Sequence, residues 1–514
     1  MWNRKYIEEL IEKRKKARKG GGEERIYRQH EKGKLTAWER LNILFDEGTF
    51  VEVDNLIESR IDDFQMKEKR VPGDGVITGY GEIDGRLTFA YSEDFTVIGG
   101  TLGEYHSLKI CRIMDRALEM RAPLIAINDS GGARIEEGIS SLSGYSGMFL
   151  RNTRASGVIP QIAVIAGPCA GGACYSPAIC DFIFMTESNS RMFITGPGVV
   201  KEVIGETVSS FELGSSRTHM EKSGVAHFAF KNDEECLNGV RNLLSYLPAN
   251  NEEIMKIAEC STEDKSSLLQ EIVPDEQRKV YDVHKVVEVI VDPKSFLEVQ
   301  SDYASNLVIG FGRLNGQSLG IVANQPFVMG GSLDVNASEK GARFIRFCDA
   351  FNIPVLSLID VPGFFPGTQQ EHGGIIRKGA KLLYAYSEAT VPKVSLIMRK
   401  AYGGAYIAMN SKNMGADMVY AWPIAQIAVM GAEGAADIIY RQEIKNAEDS
   451  RAIKKGFVKK YEETFMNPYI AAKRGYIDEV ILPEETREKL ICAFRMCRTK
   501  RRSIVTKKHG NIPL

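Results

Sequence analysis

The sequence predicts an α/β fold built as two tandem copies of one unit, on three observations. Short peptide segments recur in the same order at a near-constant spacing. Strands that are apolar throughout alternate with helical stretches, the pattern of sheets buried on both faces. These strands run into glycine-rich turns at matching points in the two halves.

Taken in order, residues 1–34 carry closely spaced charges of both signs, which reads as a solvated helix or subunit-packing arm. GYGEIDGR, Gly79 to Arg86, matches GFGRLNGQ, Gly310 to Gln317, at an offset of 231 residues. Each holds a two-residue turn, Asp84-Gly85 or Asn315-Gly316, between alternating apolar residues, the strongest short-range hairpin signal. The same offset pairs Gly99-Gly100-Thr101-Leu102 with Gly330-Gly331-Ser332-Leu333, and Lys109 with Lys340. One residue later in offset, Ile127 pairs with Ile359, Gly131 with Gly363, and Gly171-Gly172-Ala173 with Gly403-Gly404-Ala405. Helices are expected near 103–121 and 334–351, followed by the strands PLIAIND and PVLSLID. A second helix then leads in each half to IPQIAVIAG or VPKVSLIMR, to Gly-Gly-Ala, and to a further helix. The polar, turn-rich stretch NNEEIMKIAECSTEDKSS marks the join, so domains of 1–260 and 261–514 are expected.

Hydrophobic residues at 44% and charged residues at 26% are ordinary for a globular chain. The net charge of −1 gives no general attraction to nucleic acid or anionic membranes, so an anionic ligand needs a local site. MWNRKYIEELIEKRKKARKGGG lacks the apolar core of a signal peptide, and no segment approaches the roughly 20 apolar residues of a membrane span. A cytoplasmic protein is expected. Nine scattered cysteines form no C-x-x-C pair and read as buried small hydrophobes in a reducing compartment. Cys169 and Cys174, flanking a Gly-rich turn, are the two whose thiols stand nearest to chemistry.

Chemistry is expected at the turns. Asn128–Ala133 and Gly167–Ala173 each run from a buried strand through glycines into a helix, which turns backbone N–H groups outward with the helix dipole behind them. Glycine lets a ligand approach the main chain, and the arrangement suits a phosphate or a developing oxyanion. Asp360–Phe364 and Tyr402–Tyr406 repeat it, implying two related oxyanion sites and two carbonyl partners. No Walker-type loop, H-E-x-x-H or Cys/His metal spacing occurs, so no metal is predicted. Among the seven histidines, His106 and His372 lie just past Gly-Gly turns; Asp129, Glu136, Asp360 and Glu371 read as helix caps or supporting partners.

These motifs resemble the biotin-dependent acyl-CoA carboxyltransferases: propionyl-CoA carboxylase β subunits, transcarboxylase large subunits and methylmalonyl-CoA decarboxylase α subunits. The likeness rests on INDSGGARIEEG, GPCAGGACYSPA, FITGPGVVK, ANQPFVMGGSLDVNASEKGARFIRFCDAFNIPV, RKAYGGAY and AWPIAQIAVMGAEGAA, in the family's order. It implies two crotonase-like ββα-spiral domains, the first handling the acyl-CoA and the second biotin. It also implies a homo-hexamer core whose active sites lie where two protomers meet. Carried onto matching positions, Gly171 and Gly172 would hold the thioester enolate, and Gly404 and Ala405 the ureido oxyanion of biotin. Gly131, Gly132, Ala133, Ala170 and Ala173 would line the first site, and Gly363, Phe364, Gly403, Tyr406 and Ile407 the second. The implied reaction needs no metal. CO₂ leaves carboxybiotin in a desolvated pocket, the ureido anion takes the α-proton of the acyl-CoA, and the enolate captures the CO₂.

Further expectations follow from the resemblance. The chain has no A-M-K-M biotinylation motif, and Lys256 lies in a helical, Glu-rich stretch. Biotin therefore arrives on a separate carrier protein, with a biotin carboxylase subunit or a membrane decarboxylase subunit as the other partner. Any membrane association runs through such partners. The sequence departs from many relatives at Ile407, where YGGAYD is common, and at Leu213-Gly214-Ser215-Ser216, where a serine is expected to narrow the acyl pocket. Methylmalonyl-CoA/propionyl-CoA is the first expectation for substrate, malonyl-CoA/acetyl-CoA the alternative, and the direction of transfer stays open. Rival readings are an enoyl-CoA hydratase or isomerase, a duplicated serine-lysine protease of similar fold, and a non-catalytic scaffold subunit.

Overall fold

A computed structural model describes residues 4–255, 257–259, 263–501 and 505–513. Lys256 and Cys260 lie outside the described residues. The chain divides into two compact units, Met1–Glu253 and Ile254–Leu514.

The first unit holds an eight-stranded sheet of β1 (Val51–Val53), β2 (Val76–Ile83), β3 (Arg86–Glu93), β4 (Leu124–Ser130), β5 (Gln161–Ala170), β6 (Phe182–Thr186), β7 (Arg191–Phe193) and β8 (Phe228–Phe230). The spatial order is β1-β2-β3-β4-β5-β6-β8, with β7 paired to the far end of β5. The second unit repeats this with β9 (Leu297–Val299), β10 (Leu307–Leu314), β11 (Gln317–Asn324), β12 (Val355–Val361), β13 (Lys393–Tyr402), β14 (Met418–Ala421), β15 (Gln426–Ala428) and β16 (Glu479–Val480). Its order is the same, and β15 pairs with the far end of β13. Each unit is one ββα spiral, and the chain is a tandem pair of them.

Local chemistry accounts for the shared frame. Antiparallel β2–β3 and β10–β11 close at Ile83↔Arg86 and Leu314↔Gln317. Between them Asp84 and Gly85 (φ 50° and 72°), and Asn315 and Gly316 (φ 51° and 75°), form the left-handed pair of a type I′ turn. After each hairpin a helix, Glu104–Glu119 or Val335–Ala350, carries the chain across to a parallel strand. β4 and β12 are buried at every residue, which explains why their sequences do not alternate. Burying one of their Ile or Leu side chains is worth about 1.5–3 kcal/mol, and each unit has its own cluster of such residues.

Lys109 and Lys340, paired in the sequence, do the same structural task. Each is buried, and its ammonium ties down carbonyls of the segment leading into the hairpin: Gly73 and Val76 for one, Gln300, Tyr303 and Ala304 for the other.

Two pairings need correction. Parallel registers align Phe89 with Leu124 and Gly320 with Val355, so β4 and β12 keep the 231-residue offset. Ile127 therefore matches Leu358, and Gly132, rather than Gly131, matches Gly363: Leu102 N–H donates to Gly132 O, and Leu333 N–H to Gly363 O. The offset rises to 232 only at β5 and β13, where Ala126 pairs with Ala163 and Ser357 with Ser395. The helix-to-strand loop is shorter in the second unit, 389–392 against 156–160, so the extra residue enters earlier, between the turn and the end of the helix.

Candidate functional site

The Gly-Gly-Ala turns stand at the ends of β5 and β13. Ala170 leads into a 3₁₀ turn, Gly171–Cys174, and a helix, Tyr175–Ile179; Tyr402 leads into the helix Gly403–Ala408. Gly171 (φ 63°) and Gly403 (φ 57°) take the left-handed conformation that side chains resist, which explains the first glycine of each pair. Neither Ala170 nor Tyr402 caps with a side chain. In the 3₁₀ turn the first i→i+3 bond is donated by Ala173, so Gly172 N–H is the one left without an intrahelical acceptor there, whereas in the α-helical turn both Gly404 and Ala405 N–H lack one. The helices have only five or six residues, so the donors themselves, more than a long dipole, supply the anion affinity.

The turns after β4 and β12 behave differently from expectation. Gly131 N–H donates to Gly99 O at 2.9 Å, and Gly132 N–H to Ser130 Oγ at 3.2 Å, so neither is a free donor. Leu102 N–H donates to Gly132 O and Arg134 N–H to Leu102 O, which leaves the Ala133 N–H directed away from that ladder. Leu333 brackets Phe364 in the same way. The donors of these turns are thus Ala133 and Phe364. Nor does a helix follow immediately: it starts at Ile139, after the 3₁₀ turn Ile135–Glu137.

The paired turns of each unit are close. A Cβ at Gly132 would lie 3.0 Å from the Ala170 carbonyl oxygen, and one at Gly404 3.9 Å from the Phe364 ring. Behind Gly172 stands the Tyr145 ring, 3.3 Å from where a Cβ would be. Each Gly-Gly turn therefore rests against one aromatic ring, contributed by different elements in the two units.

Asp129 and Asp360, expected as caps or supporting partners, are fully buried anchors behind the turns. Asp129 accepts from Gln29, Lys34 and Arg40, the last at 2.9 Å, and these hold the N-terminal arm onto the sheet. Asp360 accepts from Arg399 Nε at 2.9 Å, Tyr281 Oη at 3.0 Å and Lys400 N–H at 3.1 Å. Glu93 Oε2 accepts the Asp129 N–H, and Asn324 Oδ1 accepts the Asp360 N–H, at equivalent positions. Burial, with the Asp129 charge adding, pushes the Glu93 carboxyl up to about 8, so it is neutral like its amide counterpart. His106 is buried beside Glu93, with Nδ1 against Asp74 O at 2.9 Å, and burial holds its pKa well below the usual range. His372, Glu136 and Glu371 sit at or near the surface and join neither cluster.

Beside Gly403 and Gly404 lies a pocket of about 480 Å³, lined also by Tyr406, Ile407, Tyr461, Phe465, Arg474 and Tyr476. Burial raises the Tyr406 hydroxyl to about 12, so it is a neutral donor. Ile407 is 45% exposed and faces this space. Sequence reading missed Tyr461, Phe465, Arg474 and Tyr476. They come from the helices Ser450–Phe465 and Pro468–Lys473 and the turn beyond, some sixty residues after the glycines. The aromatic and cationic residues there were the only available signal. Ser215, in the departing Leu213–Ser216 segment, is buried and caps a short helix, its Oγ accepting from Thr218 N–H at 3.3 Å. Cys169 and Cys174 are buried, and the Cys174 thiol donates to the Cys169 and Phe193 carbonyls. Among the described residues no group of three His, Cys, Asp or Glu is arranged to hold a metal, and no helix is long and apolar enough to cross a membrane.

The chain has relatives among known proteins. The carboxyl transferase domain model matches residues 28–512. The chain is 58% identical over 510 residues to the propionyl-CoA carboxylase carboxyltransferase subunit of Haloferax mediterranei, covering 99% of each. It is 53% identical to the methylmalonyl-CoA decarboxylase subunit alpha of Propionigenium modestum, again covering 99% of each. The transcarboxylase 12S crystal structure, a hexamer with methylmalonyl-coenzyme A and methylmalonic acid bound, superposes with a TM-score of 0.96 at 53% identity, covering 99% of this chain and 98% of that one.

Proposed function

The chain belongs to the carboxyl transferase family, and on that premise we propose that it is the carboxyltransferase subunit of a biotin-dependent enzyme, moving a carboxyl group between biotin and the methylmalonyl-CoA/propionyl-CoA pair. The observation that carries this is the repeated pair of glycine turns, one in each half of a duplicated fold. A reaction that builds oxyanion character on two different carbonyls, a thioester and a ureido group, uses two such sets of donors.

In the first unit, Gly172 N–H and Ala133 N–H receive the thioester oxygen as it takes up negative charge. Gly171, Ala170, Ala173, Gly131 and Gly132 form the walls and keep that surface bare of side chains. In the second unit, Gly404 and Ala405 N–H, with Phe364 N–H, receive the ureido oxygen, and Gly363, Gly403, Tyr406 and Ile407 line the approach. The 480 Å³ pocket of aromatic rings with a few polar tips fits a small bicyclic head group. Bound biotin supplies the carboxyl group and a nitrogen base; this chain supplies donors and excludes water. Biotin comes on a carrier protein, and a biotin carboxylase or a membrane decarboxylase subunit completes the enzyme. The prominent exposed apolar residues Ile135, Ile139, Val203, Ile376, Val429 and Ile438 support assembly into a homo-hexamer.

Gly404→Pro tests the second donor set. At the second helical position proline removes an N–H that no backbone group uses and keeps a helical φ, and the nearest side-chain atom to the added Cβ is 3.9 Å away. Loss of one such donor lowers kcat by about 10²–10³-fold. The variant should bind methylmalonyl-CoA as the parent does while transfer to biotin drops by that factor; transfer at the parental rate would refute the assignment.

A further inference from the structure

The donors of the first oxyanion site sit on two turns, Gly172 after β5 and Ala133 after β4, and one side chain reaches behind both. Tyr145, on the helix Ile139–Ala155, is buried and lies under the Gly-Gly turn. A Cβ added at Gly172 would stand 3.3 Å from its Cδ2, 3.5 Å from Cε2 and 3.6 Å from Cγ, so the ring is the floor on which Gly172 rests. Phe149, one turn along the same helix, stacks on Tyr145 with ring centroids 5.9 Å apart and meets Tyr175 edge-on at 6.0 Å. Tyr175 opens the helix that follows the Gly-Gly turn, so this run of rings locks Tyr145 against the segment it supports.

The Tyr145 hydroxyl is buried, makes no hydrogen bond of ordinary length, and faces Ser130, the last residue of β4. Burial raises its pKa, so it stays a neutral donor. Ser130 Oγ donates to Gly100 O at 2.6 Å and accepts the Gly132 N–H at 3.2 Å. A hydroxyl oxygen has two lone pairs, so Ser130 keeps one for the tyrosine proton. Gly132 leads directly to Ala133. The second unit has no such link. At the 231-residue offset Val361 stands where Ser130 does, with no oxygen to offer. The space below Gly404 is filled from the turn itself, by the Phe364 ring, which would lie 3.1 Å from a Cβ at Gly379 on the helix Ile375–Glu388.

We propose that Tyr145 is the positioning residue of the first oxyanion site, its ring setting Gly172 and its hydroxyl, through Ser130, setting Gly132 and with it Ala133. The proposal rests on the reading of that site as the one for the thioester. Two donors on separate turns are thereby registered to one rigid side chain. As charge grows on the thioester oxygen and draws both N–H groups inward, the Tyr145–Ser130 bond closes, since such contacts are long in a free enzyme and tighten in its complex. A bond completed only in the transition state acts on kcat rather than on KM.

The test uses the full-length assembled protein with Tyr145→Phe, Tyr145→Leu, Ser130→Ala and the double variant Tyr145→Phe/Ser130→Ala. In biotin-dependent decarboxylation of methylmalonyl-CoA, Tyr145→Phe should lower kcat about 2- to 10-fold, the worth of one hydrogen bond, and leave KM for thioester and for biotin unchanged. Tyr145→Leu removes the floor and should lose about 10²-fold in kcat. Adding Tyr145→Phe to Ser130→Ala should cost nothing further, because the effect passes through that hydroxyl. Infrared spectra of bound propionyl-CoA with an isotopically labelled thioester carbonyl give a readout that a merely structural role would not move. The carbonyl stretch should fall in frequency on binding to the parent and fall less in both Tyr145 variants. Tyr145→Phe keeps the ring, and it decides alone if Tyr145→Leu does not assemble. A parental kcat in Tyr145→Phe, additive losses in the double variant, or a carbonyl stretch equal to the parent's would overturn the assignment. A parent that leaves the carbonyl stretch of the bound thioester where it is in solution would remove the thioester reading of this site, and the proposal with it.

Discussion

Glu93 shows how a single residue reports on the duplication. It occupies the position of Asn324 and, neutral, performs the same task of accepting the N–H of the aspartate before a turn. Its folded pKa of about 8 lies above the 4.5 of a free carboxyl, so as pH rises the unfolded chain releases this proton first. Stability is therefore lost progressively from about pH 4.5 to about pH 8, and the penalty is complete above that. Glu93→Gln should raise the melting temperature increasingly over this window and level off at higher pH; a constant difference would mean that Glu93 is charged. His106 has the opposite sign. Its folded pKa is depressed, so its neutral burial weakens the fold as pH falls through 6.5, where the unfolded imidazole gains its proton. The glycines of these turns were legible in the sequence because few other residues tolerate such backbone. Glu93 and His106 were not, since burial alone sets their protonation and no local pattern encodes burial of a charged residue type.

At the scale of elements, the strands β4 and β12 carry a buried carboxylate each, held by cations from quite different segments. Arg40 comes from the arm helix Ala37–Leu44, whereas Arg399 comes from the neighbouring strand β13. Removing one member of a buried pair costs about 3–5 kcal/mol, because the remaining charge stays desolvated. Arg399→Met should lose about that much in chemical denaturation, with the Pro274, Glu276 and Lys279 carbonyls also losing their donor. Asp360→Asn added to Arg399→Met should recover part of it. A loss below 1 kcal/mol would show that the pair is not an anchor. The order of hairpin, helix and apolar strand was readable because its periodicities are local. The offset between the halves was misread by one residue at β4 and β12, since only inter-strand register decides it. The short 3₁₀ turns after the glycines, and the free N–H at Ala133 and Phe364, likewise depend on long-range pairing with Leu102 and Leu333.

At the scale of the whole molecule, two copies of one ββα spiral have kept their donor turns and diverged around them. The first copy has gained a basic arm and the second an apolar pocket rimmed by Tyr461, Phe465, Arg474 and Tyr476. Retention of the turns with divergence of the surroundings is what a reaction with two unlike carbonyl partners requires. The most direct test gives the purified protein methylmalonyl-CoA labelled in the transferable carboxyl, with and without free biotin, and follows release of labelled CO₂, with malonyl-CoA in parallel. The account predicts release that depends on biotin and favours methylmalonyl-CoA. Absence of biotin-dependent release from either thioester, in protein shown to be folded and hexameric, would contradict it.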